Sequence, residues 1–287
     1  MQLPLVVGVD GSDASLRAVD WAADEAARHG LPLRLVYASL WERYEGAVPT
    51  GSVERPSEQV MAEHVVASAA ERAQRRAPEV KVTTDILPED AVSALLGEAD
   101  NAAGLVTGSR GRGELKGMLL GSVSLAVAGR AHCPVVVVRG DPAGLAGTHE
   151  RILLGAGEPG TAADAVRFAF REAEARDCVL DVVRAWRGPS HPAPGDGEPA
   201  GEPEKHATAV LDELLRDAMT EHPDVRVRPA AVEGPAHRVL VDRSAAADLV
   251  VVGARRRVGH LGLQFGRTGH TLLHHAQCPV AVVPQRV

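Results

Sequence analysis

Asp10, Gly108, Gly111 and the pair Gly121-Ser122 are the residues whose types and spacing best suit binding chemistry. The stretch "GSRGRGELKGMLLGSVSLAVAGRAHCPVVVVR" (108–139) sets Gly108, Gly111, Gly113, Gly117 and Gly121 between two apolar runs. Glycines this dense permit a sharp bend or a close approach of backbone to a ligand. A glycine loop leading into a helix presents unpaired N–H groups and the positive dipole end to an anion. Asp10 ends the first apolar run, "LPLVVGVD", where a carboxylate can accept ribose hydroxyls or hold a divalent cation. The same residues also have plain structural uses, since Gly-x-x-Gly serves turns and Asp10 can cap the helix that follows.

These residues share one edge only if the right elements carry them. "LPLVVGVD" reads as a buried strand, and "GSDASLRAVDWAADEAARHG" as a helical stretch with Ser12 or Asp13 as N-cap and Gly30 at its C-terminal stop. "LPLRLVYAS", "VKVTTDIL", "AGLVTGS" and "CPVVVVR" read as further strands, with helices over 57–77, in "DAVSALLGEAD" and over 119–131. Continuous apolar strands alternating with helices predict a parallel sheet covered on both faces, a doubly wound α/β domain. Ligands of such sheets sit beyond the carboxyl ends of the strands, at the topological switch point. Asp10 and Gly108 both end strands there.

The plan occurs twice. A shift of 145 positions carries Gly108 onto Gly253, Gly121 onto Gly266 and "HCPVVVV" onto "QCPVAVV". A shift of 147 carries "LVVGVDGS" onto "ILLGAGEP". The chain is a tandem duplication with domains over 1–140 and 150–287, joined around "GDPAGLAGTHE". The second half repeats the order, with helices over 161–176, 204–220, 235–246 and 267–276. A Pro/Gly/Glu-rich stretch at 187–204 reads as a mobile loop. Its counterpart at 39–57 contains Trp41 and Tyr44 and reads as better ordered.

The 287 residues are 45% apolar but only 3% aromatic, so two cores must be built from Val, Leu and Ala. A net charge of −7 with mixed signs argues against a nucleic-acid surface. No apolar run is long enough for a membrane span, and "MQLPLVVGVDGSD" has no secretory-signal pattern. Cys133, Cys178 and Cys278 offer no disulfide framework, which together with those features places the chain in a reducing cytoplasm. No P-loop or serine-hydrolase elbow occurs. His270 and His274 have a metal-ligand spacing but no third ligand nearby, so they read as surface or packing residues.

Gly108-x2-Gly111-x9-Gly121-Ser122, with "VVGVDGS" before it and "CPVVVV" after it, resembles the signature of ATP-binding universal stress proteins. The resemblance spans the chain as two consecutive domains of that family. It implies two tandem flavodoxin-like or Rossmann-like domains, each a five-stranded parallel sheet with helices on both faces, and a role in surviving stress. By position it assigns Asp10 to ribose or a phosphate-bound Mg²⁺, and the main chain of Gly8 and Ala38 to the adenine and ribose. Gly108, Arg110, Gly111 and Arg112 would form the loop over ribose and phosphates. Gly121, Ser122, Val123 and Ser124 would offer amides and hydroxyls to the phosphates. The family's dimer would be made within one chain through the two fifth strands, with a homodimer and a protein partner as further associations.

The second half departs from this pattern, with Arg256 at the place of Gly111, Arg267 at that of Ser122 and Gly157 at that of Asp10. One ATP per chain is therefore expected, with Arg255, Arg256 and Arg257 a solvated loop. No residue stands out as a general base, so a regulatory binder with at most slow hydrolysis is the leading reading. An adenylating or ATPase enzyme and a nucleotide-free scaffold are the alternatives.

Overall fold

A computed structural model describes residues 2–40, 57–111, 120–158, 162–188, 201–255 and 266–285. Trp41, Tyr44, Arg112, Arg256, Arg257 and most of the 187–204 stretch lie outside the described residues. The chain folds as two compact units, Met1–Val138 and Arg139–Val287.

In the first unit, β1 (Leu5–Gly8), β2 (Leu33–Ala38), β3 (Val82–Leu87), β4 (Gly104–Gly108) and β5 (Val135–Val138) form a parallel sheet ordered β3-β2-β1-β4-β5. The order reverses between β1 and β4, which makes that gap the switch point. α1 (Asp13–His29) and α2 (Ser57–Arg76) pack together, as do α3 (Ala91–Ala99) and α4 (Ser122–Arg130). The fifth strand's four valines are all buried, as are Val6, Val7, Leu33, Leu35, Leu105 and Val106.

α1 buries a stripe of Ala18, Val19, Ala22, Ala23 and Ala26, whose small side chains let the helix lie close to the sheet. Ser12 is its N-cap and accepts from the Ser15 amide, and Gly30 closes it at φ 63°. Arg72 and Arg76 of α2 grip Asp20 and Asp24 of α1 in two-pronged pairs at 2.6 Å. Both pairs are partly exposed, so each contributes no more than about 1 kcal/mol and mainly sets the pairing of the helices.

The second unit opens with α5 (Pro142–Ala146), a short helix inside the segment that joins the two repeats. Asp141 caps it, proline stands in its first turn, and Gly147 ends it at φ 66°. The unit then repeats the plan through β6 (Arg151–Gly155), α6 (Ala163–Ala175), β7 (Val179–Trp186), α7 (Glu202–Glu221), β8 (Arg226–Glu233), α8 (Ala236–Ser244), β9 (Leu249–Arg255), α9 (Arg267–His275) and β10 (Val280–Gln285). Its strand order, β8-β7-β6-β9-β10, matches that of the first unit. Equivalent contacts recur too. A methyl on Gly8 would meet Leu95 of α3 at 2.9 Å, and one on Gly155 would meet Leu240 of α8 at 2.7 Å.

Candidate functional site

Asp10 and the glycine loop meet at the switch point of the first unit. The Asp10 Oδ1 accepts the Ser12 amide at 2.9 Å and the Ser12 hydroxyl at 2.6 Å. The carboxylate thereby fixes the residue that caps α1, and Gly11 permits the bend at φ 78°. Oδ2 faces the loop after β4, where a methyl on Gly111 would come within 2.7 Å of it. Gly111 is needed for the carboxylate to lie against that backbone.

Gly108 has a different task. A methyl there would fall 2.5 Å from the Ala14 carbonyl oxygen and 2.6 Å from its carbon. Glycine at the end of β4 thus lets the first turn of α1 lie directly on the strand. The chain then turns so that the Gly121 amide donates to the Ser109 carbonyl at 2.8 Å. Gly121 is the extended N-cap of α4, with no side-chain cap. The first intrahelical bond runs from the Leu125 amide to the Gly121 carbonyl. The amides of Ser122, Val123 and Ser124 precede it, and this open start suits an anion. Ser122 is exposed and Val123 half-buried.

Ser124 is buried, and its hydroxyl donates to the Gly108 carbonyl at 2.6 Å. That single proton latches α4 to the end of β4, so the residue's remaining offer to an anion is its amide. Arg110 is exposed in the loop, and Arg112 lies outside the described residues. Ala38 ends β2, on the far side of β1 from the loop, with Gly8 paired to Val36 two residues earlier. The structure thus sets Asp10 against Gly111, and the Gly121 start of α4 against Ser109 and Arg110 of the same loop, with Gly8 and Ala38 on the neighbouring strand ends.

Sequence reasoning passed over Thr107, whose buried Oγ1 has no hydrogen-bond partner among the described residues. It also passed over the Asp10–Ser12 turn, although a serine two residues after an aspartate is a local signal for it.

The second unit fills the equivalent space differently. Gly157 has no side chain to offer, and its carbonyl accepts from Arg184 at 2.8 Å. The same guanidinium pairs with Glu158 at 2.9 Å. Arg184 stands where the first unit has Tyr37, a change visible in the sequence once the strands are in register. Gln285 is buried, and its Oε1 accepts the Asp164 amide in the first turn of α6. Arg267, not a serine, opens α9.

Comparisons with known proteins agree with this duplicated architecture. The model of the universal stress protein family matches residues 1–139 and again 148–284. A universal stress protein of Mycobacterium tuberculosis is 33% identical over 98% of this chain and 96% of its own. The crystal structure of a universal stress protein from Archaeoglobus fulgidus matches all of both chains with a TM-score of 0.71 at 18% identity, a likeness of fold. A universal stress protein crystallised in complex with cAMP is 30% identical and covers 48% of this chain, with a TM-score of 0.37. The chain belongs to the universal stress protein family, as two tandem copies of its flavodoxin-like domain.

Proposed function

We propose that this chain is a stress-response regulator whose first repeat binds ATP with Mg²⁺ and whose second repeat binds no nucleotide. The observation that carries the reading is the contact of Asp10 with the Gly111 backbone beside the open start of α4. A carboxylate and a row of unpaired amides then face one space, as a sugar or metal joined to phosphates requires. The residues present fit the group. The amides of Ser122, Val123 and Ser124 would hold phosphate oxygens, Asp10 a ribose hydroxyl or the metal, and the main chain of Gly8 and Ala38 the base. Gly108, Arg110, Gly111 and Arg112 would form the covering loop.

Bound nucleotide supplies charge and order to this loop, which makes occupancy a signal, with hydrolysis slow at most. In the second repeat Gly157 stands in place of Asp10 and offers no carboxylate, which removes one of those contacts. Loss of one charge-assisted hydrogen bond costs roughly 1.5–3 kcal/mol. Calorimetric titration with MgATP tests the proposal, with one site per chain expected. No binding would refute the nucleotide reading, and two sites would refute the asymmetry.

A further inference from the structure

We propose that His270 and His274 of α9 form a two-imidazole site for a divalent transition-metal ion, with Cu²⁺ the ion it holds best. The two residues stand one turn apart, the helical spacing at which two histidines share a face and can hold one ion. Spacing alone does not make a site, and the structure adds two observations. Their rings are stacked, with centroids 4.5 Å apart and planes 28° from parallel. The Nε2 of His274 is buried and has no hydrogen-bond partner among the described residues.

A ring nitrogen removed from water without a partner is costly to the fold, and a metal ion would satisfy it. His274 is also kept in the form a metal needs. Lost hydration, then the charges of His270, His275 and Arg139, hold its imidazole below the usual histidine range, so it is neutral and keeps a lone pair at pH 7. His270 is exposed, so its ring can swing out of the stack, admit an ion from solvent and turn its own nitrogen toward it. Imidazole nitrogens coordinate at about 2.0–2.1 Å, and rings this close need only modest rotation about χ2 to converge on one ion.

His274 lies in the last turn of α9, where the helix dipole favours a cation. Arg139 donates to the carbonyls of Leu273 and Ala276 at that end, so the rings and not the backbone supply the ligands. Its charge opposes a second cation and keeps binding moderate. Among the described residues, no cysteine, carboxylate or further histidine joins the pair within reach of one ion. Two imidazoles with water in the remaining positions suit Cu²⁺, which heads the affinity order at nitrogen sites. Structural zinc, by contrast, takes four protein ligands.

The first repeat has Leu125 and Gly129 at the equivalent positions, so the pair belongs to the second repeat alone. The site stands whether or not the first repeat binds nucleotide.

Calorimetric titration of the tag-free full chain with CuCl₂, alongside His270→Gln, His274→Gln and His275→Gln, tests the site. His275 is the control, adjacent in sequence but with its ring centroid 6.1 Å from that of His274. The tightest event should be one ion per chain. It should weaken about tenfold or more in each of the first two variants and change less than about twofold in the third. His270 is exposed, so His270→Gln decides the matter even if His274→Gln fails to fold. A parent that does not bind Cu²⁺, parental affinity in a folded His270→Gln or His274→Gln protein, or an equal loss in His275→Gln would each overturn the proposal.

Discussion

Replacing Gly121 by alanine separates what a phosphate needs from what the fold needs. Among the described residues, the new methyl would meet nothing nearer than the Arg110 Cα at 3.6 Å, an ordinary contact. The backbone at φ −74° and ψ 148° accepts any residue. The cost to the fold is then the poorer N-cap, about 0.5–1 kcal/mol, or a melting shift of a few degrees, about 2–4 °C. The methyl nevertheless stands between the start of α4 and the Ser109–Arg110 backbone, where phosphate must approach the helix amides. MgATP affinity should fall about tenfold or more, the equivalent of ~1.4 kcal/mol. Gly108→Ala is the contrasting variant. Its methyl falls 2.5 Å from the Ala14 oxygen, and relief requires the first turn of α1 to move. Overpacking of that kind costs about 1–3 kcal/mol, so its melting point should drop more than that of Gly121→Ala. Calorimetry with MgATP and thermal melts of both variants supply the test. A folded Gly121→Ala protein with parental affinity would refute the placement of phosphate at this helix start.

Thr107→Val replaces a buried hydroxyl that has no partner among the described residues with an apolar group of the same shape. Thermal melting of the ligand-free protein should be unchanged or raised, and a fall of several degrees would show that the hydroxyl is satisfied. The three cysteines should resist a thiol reagent at pH 8 in the native protein and react in denaturant. Burial pushes Cys133 up to about 12 and Cys178 to about 11, and Cys278 is raised as well. Because the folded thiols keep protons that the unfolded chain releases near pH 9.0, their contribution to stability is complete below that pH and is lost as pH rises through the folded values. Fast native labelling, or stability that rises between pH 9 and 11, would contradict this.

Much of the architecture was legible because it rests on neighbours in sequence. Apolar runs and helical stripes are short-range patterns, and Ser12 and Gly30 announce the ends of α1 by their own conformational preferences. Gly121 was marked as the start of α4, and there the structure has its uncapped turn. The signals of α5 were equally local, with Asp141, Pro142 and Gly147 in order, but a one-turn helix between two repeats resembles a linker in composition. The repeat itself was readable by aligning the halves, because duplicated strands keep their register.

The sequence by itself determined the duplication, the order of strands and helices, and the set of small and acidic residues available for a nucleotide. Only the tertiary structure decided how those residues are used. Gly108 is small for the sake of Ala14, Gly111 for the sake of Asp10, and the Ser124 hydroxyl is engaged by the Gly108 carbonyl. Spacing sets His270 and His274 one turn apart, but only the fold buries the Nε2 of His274 without a partner among the described residues. The reason is physical: local conformation depends on a few neighbouring dihedrals, whereas a distant contact depends on strand register and crossover path summed over the whole domain.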